Sequence, residues 1–177
     1  MIAGVAATLA ALTLSVASVG AGTHAASAHE AVRAQPSLEA SILVALNRLR
    51  RAHGLHALTL SKPLSRAAAG HSVQMAEDGY FSHDDVAGAP FWKRIEAVYP
   101  SQDERYWSVG ENLLWSSPGV DASGAIKLWL ASPEHRKNML APRWREIGIS
   151  AVHADAAPGA YRHLPVTIVT TDFGVRR

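Results

Sequence analysis

The sequence predicts an α+β domain in which helices cover an antiparallel sheet. Three observations lead there: apolar residues recur at helical spacing through the first half of the chain, β-branched and alternating runs gather near its end, and two helix-start signals lie between them. Elements segregated in this way cannot form alternating βαβ units, so an antiparallel sheet with helices against it is the packing that buries both kinds. At 177 residues, with 48% hydrophobic and 18% charged, the chain can bury one core and is too apolar for a disordered class.

Taken in order, Leu38, Ile42, Leu46 and Leu49 predict a first helix, with Pro36 and Ser37 at its start and Gly54 at its stop. A second helix starts at Ser61-Lys62-Pro63, runs through Leu64, Ala68, His71 and Met75, and ends at Gly79. Phe81 to Pro90 reads as a loop, Pro90 to Val98 as a short helix between prolines, and Ser101 to Arg105 as another loop. Val109 to Trp115 is short and apolar enough for a strand, and Ser116-Ser117-Pro118-Gly119 turns the chain toward a helix near Asp121 that carries Ile126 and Trp129. Ser132-Pro133-Glu134 is a further helix start, with Ser as N-cap, Pro in the first turn and a carboxylate beside it. Glu146 to His153 and Leu164 to Phe173 then read as two strands of a hairpin.

Ahead of these elements, Ile2 to Val19 is an uncharged Ala/Leu/Val run followed by Ala26-Ser27-Ala28, an A-x-A cleavage pattern. The expected organisation is a signal peptide over 1–28, a short polar linker over 29–36 and one domain over 37–177. No Lys or Arg precedes the apolar run, which keeps an uncleaved anchor as the rival reading, although the run is Ala-rich and short for a span. Cleavage leaves no integral membrane domain in the mature protein and places it outside the cell or at the envelope. The net charge is +2, and basic residues are scattered apart from Arg48, Arg50, Arg51 and the final Arg176-Arg177, so no nucleic-acid stripe is present. Without cysteine there can be no disulfide, thiolate metal site or cysteine nucleophile.

Several short motifs follow one another: Leu46-Asn47-Arg48-Leu49-Arg50 with Gly54-Leu55, His71-Ser72 with Met75-Ala76, Phe81-Ser82-His83 and Gly110-Glu111-Asn112. Trp129 with Ser132-Pro133 and His135-Arg136, Glu146-Ile147-Gly148 and Phe173-Gly174 complete the series. In this order they resemble the bacterial, SCP-like branch of the CAP superfamily, the group of cysteine-rich secretory, antigen 5 and pathogenesis-related proteins. The resemblance implies a three-layer α/β/α sandwich with a central antiparallel sheet, and a cleft where two histidines and acidic residues meet. Carried over by motif, the cleft residues are His83, Glu111 and His135. Ser132 falls where eukaryotic relatives place a second acid, and Glu134 is only its neighbour.

Two neutral imidazoles and a carboxylate suffice as three ligands to a divalent ion such as Zn or Mg, which makes His83, His135 and Glu111 the candidate metal set and Glu111 the candidate catalytic base. Each has a plainer reading beside this one. His83 lies in a polar loop next to Asp84 and Asp85, with no apolar periodicity to explain it. Glu111 lies in an apolar strand, where a carboxylate must find a partner, and could equally hold backbone amides in place. His135 at a helix start could be a ligand or a link between helix and sheet. His71 lines up with Leu64, Ala68 and Met75 and reads as a packing residue, His53 and His56 as exposed turn residues, and the tryptophans as core or cleft wall. No G-x-S-x-G, S-x-x-K, phosphate loop or H-E-x-x-H occurs.

The expected function is a non-enzymatic binding module for a lipid, sterol-like or cell-envelope ligand, as the resemblance to lipid-binding relatives implies, with no nucleic-acid partner. The alternatives are a metal-dependent, peptidase-like hydrolase using His83, Glu111 and His135, and a structural envelope protein.

Overall fold

The computed structural model describes residues 32–177, so the expected signal peptide, its cleavage point and the first residues of the linker lie outside the described part. The elements run β1 (Val32–Ala34), α1 (Pro36–Ala52), β2 (Thr59–Leu60), α2 (Lys62–Asp78), α3 (Phe91–Glu96), β3 (Trp107–Ser116), α4 (Ala122–Ala131), α5 (Pro133–Met139), β4 (Glu146–Ala157), a 3₁₀ turn (Gly159–Tyr161) and β5 (Leu164–Arg176). The sheet order is β1-β4-β5-β3, antiparallel throughout, with β2 added in parallel to the first residues of β4. Val32–Ala34, part of the expected linker, is therefore a strand whose pairing places Val32 opposite Ala154.

Alternation along the strands divides the core into two layers. Ile147, Ile149 and Ala151 of β4 and Val169, Phe173 and Val175 of β5 pack with Ile42 and Leu46 of α1, Trp129 of α4 and Met139 of α5. Val152 and Ala154 of β4, Val166 and Ile168 of β5 and Leu113 of β3 meet Met75 and Ala76 of α2 on the opposite face. Leu64 and Ala67 of α2 pack with Ile95 and Tyr99 to extend that second layer over α3. The result is the α/β/α sandwich. Helix α2 lies close to the sheet because Gly148 has no side chain: a Cβ there would fall 2.1 Å from the backbone carbon of Leu64. Helix stops and starts follow local chemistry. Gly79 ends α2 at φ 71°, in the left-handed region glycine favours, and the Asp121 carboxylate accepts the Gly124 N–H at 2.6 Å to cap α4. Ser132 is the N-cap of α5 by position, but its side chain makes no capping hydrogen bond.

Arg50 is fully buried, and its guanidinium donates to the backbone oxygens of His56, Met139 and Ala141, tying α1 to the turn after α5. One expectation about individual residues is corrected. Trp129 and Trp144 are core residues, but Trp92 is 39% exposed and belongs neither to the core nor to the cleft wall.

Candidate functional site

A pocket of about 540 Å³ opens over the β3 edge of the sheet, between the loop after α2 and the face of α5. His83, Glu111 and His135 all line it, together with Asp84, Phe91, Asn112, Glu134 and Lys137 among others. Ser132 does not: it sits at the junction of α4 and α5, and the next turn of α5 presents Glu134, His135 and Asn138 instead. Among the lining residues there is no Ser, Thr or Cys to act as a nucleophile.

Each side chain is placed by a different element. Glu111 has the odd parity of Val109 and Leu113 on β3, which turns it toward the α2–α3 layer, where its side chain is fully buried. His83 approaches from the loop with its side chain 51% exposed, and its Nδ1 lies 2.7 Å from Glu111 Oε1. A carboxylate oxygen can only accept, so Nδ1 carries the hydrogen and Nε2 is left for whatever enters the pocket. Phe91 stands beside the imidazole at 6.1 Å between ring centroids. The loop itself is fastened one residue earlier, where buried His71 donates from Nε2 to the Ser82 carbonyl at 2.9 Å. Burial holds the His71 pKa below the ordinary imidazole value, with the Arg94 charge as the second cause. Asn138 closes the rear of the cleft, donating to the Glu111 carbonyl and to Asn112 Oδ1 at 3.0 Å each, while Asn112 donates to the His135 carbonyl.

His135 is half-buried, and its pKa is also lowered, first by burial and then by the proximity of His83, with Glu134 opposing. Its imidazole is thus held toward the neutral form with a lone pair available.

Two residues that sequence reasoning missed complete the cluster. Arg94 of α3 donates from Nη2 to Glu111 Oε2, and its Nε and Nη1 are buried without partners. Asp172 of β5 is fully buried and sits opposite Glu111 in the β3–β5 register. No N–H or hydroxyl reaches either Asp172 oxygen, and its side chain meets Glu111. Two carboxyl groups bond only through a proton that one of them holds. Burial, reinforced by the Glu111 charge and opposed by Arg94, raises the Asp172 pKa well above the usual carboxylate range, so Asp172 is the member that keeps it. Asp172 carries the same sequence signal as Glu111, a carboxyl inside an apolar strand. Arg94 carries none, because an arginine on a six-residue helix reads as a solvated side chain.

A divalent ion would need Glu111 as its third protein ligand, and the geometry does not offer it. Both Glu111 oxygens are occupied, one by His83 and one by Arg94, and among the described residues no three His, Asp or Glu side chains are grouped to hold one ion. The imidazoles of His83 and His135 are donors that remain.

The profile of the cysteine-rich secretory protein family, CAP, matches residues 43–171, most of the chain. This chain belongs to the CAP family. Two relatives from Bacillus subtilis strain 168 align with the CAP domain: the uncharacterized membrane protein YlbC, 32% identical over 115 residues, and the uncharacterized protein YkwD, 29% identical over 117. These alignments cover 65% and 66% of this chain but only 32% and 43% of the relatives, so this CAP chain spans less than half the length of either. Among solved structures, an extracellular protein containing an SCP domain from Bacillus anthracis superposes with a TM-score of 0.62 at 25% identity, covering 81% of this chain and 41% of its own. An outer surface protein from Borrelia burgdorferi shares the fold at a TM-score of 0.59 and 18% identity, covering 77% of this chain and 90% of its own. The CAP fold thus holds in a chain with no cysteine at all.

Proposed function

We propose that this chain is an exported, non-enzymatic binding domain that holds the apolar body of an amphipathic envelope molecule, a lipid or sterol-like ligand, in a groove between α1 and α4. One observation carries this reading. A groove of about 710 Å³ runs along α1, lined by Ala40, Val44, Ala45, Leu49, Ala52 and Ile126, with Arg48, Ser41 and Ser123 as its polar residues. Its volume falls in the range of small-molecule sites, and apolar walls with a few polar groups are their usual composition. Val44, in the middle of α1, is 67% exposed, and a smaller hollow of about 290 Å³ on its other side is bordered by Leu43, Leu60 and Ile149. Arg48 supplies a positive charge suited to an anionic headgroup. The pocket beside His83 adds no nucleophile, which favours binding over turnover. Export is supported by the apolar run from Ile2 to Val19 and by the similar Bacillus anthracis protein described as extracellular.

The test is saturable binding of a fluorescent fatty acid to the purified chain. Wild type is expected to bind one molecule with micromolar affinity. Ala45→Trp, which fills the groove, is expected to weaken binding at least tenfold, while His83→Ala leaves it unchanged. No binding by wild type, or full binding by Ala45→Trp, removes the groove reading.

A second reading, hydrolysis in the histidine pocket, has one observation in its favour: the His83–Glu111 contact orients an imidazole as a general base would be oriented. It requires that His83→Ala abolish hydrolysis of a peptide or ester by the purified chain.

A further inference from the structure

We propose that Arg94 is the resident cation of the histidine cleft: it stands where a divalent metal would otherwise neutralise Glu111, and so keeps metal out of the set formed by His83, Glu111 and His135. Three features of the site carry this. The Glu111 side chain is fully buried, and its two oxygens are divided between the guanidinium of Arg94 and Nδ1 of His83. An ion approaching from the pocket therefore meets the imidazoles first and finds the carboxylate already engaged behind them.

Arg94 is also not free to step aside. Its side chain is only 18% exposed, its Nε and Nη1 have no partner, and its bond to Glu111 is what offsets the cost of burying its charge. Arginine stays protonated under all ordinary conditions, so the positive charge is permanent, unlike that of a dissociable ion. An ion held only by His83 and His135 would have two protein ligands, one short of the three that zinc sites open to solvent ordinarily use. The repulsion of a fixed guanidinium adds to that deficit. Glu111 thus serves as an orienting group for His83, with Arg94 as its counter-ion.

Zinc titration of the purified full chain at neutral pH, followed by calorimetry, tests the assignment independently of the groove reading, since lipid binding does not enter. Wild type and Arg94→Lys are expected to bind no zinc through the cleft, so that His83→Ala changes the titration by less than twofold. Arg94→Gln removes the charge and frees Glu111 Oε2. It is expected to gain a site of one zinc per chain, at least tenfold tighter than anything in wild type, which adding Glu111→Gln to the same chain abolishes. A wild-type site of one zinc per chain that is lost with His83→Ala overturns the proposal, as does a folded Arg94→Gln chain with no gain. Should Arg94→Gln not fold, wild type against His83→Ala still tests the assignment, and a zinc site lost with His83→Ala overturns it.

Discussion

The groove along α1 and the cleft over β3 are built in opposite ways. The groove comes almost wholly from one helix: Ala40, Val44, Ala45, Leu49 and Ala52 lie on α1, and only Ser123 and Ile126 come from α4. The cleft draws His83 from a loop, Arg94 from α3, Glu111 from β3, His135 from α5 and Asp172 from β5. Small side chains shape the groove, and none of them depends on a charged partner, so its contents can change at little cost to the fold. In the cleft Glu111, Arg94 and Asp172 are buried against one another, which couples chemistry to stability.

The sharpest way to break this contrast is to remove both carboxyl groups facing Arg94. Glu111→Gln combined with Asp172→Asn leaves a buried guanidinium without an anion, and breaking a buried pair in this way costs about 3–5 kcal/mol. Glu111→Gln alone is expected to cost clearly less, because Asp172 can release its proton and take over as the counter-ion. Urea denaturation of the two variants checks this, and equal losses would show that Asp172 does not compensate. Fatty-acid binding, measured well below the unfolding midpoint, should be the same in both.

What the sequence discloses follows the same division. Helices α1 and α2 are legible because their apolar period and their stops, Gly54 and Gly79, are local, and Gly79 indeed occupies a left-handed cap. Strands β1 and β2 are not, because segments of three and two residues owe their conformation to the β4 ladder rather than to their own composition. Within the cleft, His83 and Glu111 stand out as polar groups in places that demand a partner. Which partner is a matter of register: only the pairing of β3 with β5 sets Asp172 opposite Glu111, and only the packing of α3 brings Arg94 to both. Arg50 was hidden for the same reason, since its carbonyl partners Met139 and Ala141 lie far along the chain.

Asp172→Asn alone should have a smaller effect, and of opposite sign. The folded pKa of Asp172 is raised above its ordinary value of 3.8, so its contribution to stability is fully present below that value and is lost as pH rises. At neutral pH the unfolded chain gains an ionised carboxylate that the folded chain forgoes. Asparagine keeps an N–H to offer Glu111 and has no proton to hold. The unfolding midpoint of Asp172→Asn is therefore expected to lie a few degrees above wild type at pH 7, with the gain vanishing toward pH 3.5. A lower midpoint at pH 7 would mean that Asp172 is ionised in the fold.

The smallest expected effect separates the two regions by pH. Burial holds His71 and His135 below the ordinary imidazole value of 6.5, so the folded state favours their neutral forms. Below pH 6.5 the unfolded chain takes up protons that the folded chain does not, and stability falls with pH until the depressed folded values are passed. Their contribution is complete above pH 6.5 and is lost on acidification, the reverse of the Asp172 dependence, so the measurement belongs in the Asp172→Asn background. There the midpoint should drop between pH 7.5 and 5.5. His135→Ala should flatten part of the drop. The groove contains no histidine, so binding of an uncharged lipid analogue should stay constant while the midpoint falls. A midpoint that does not move would mean that neither imidazole is held neutral by the fold, and a parallel loss of lipid binding would mean that cleft and groove are coupled after all.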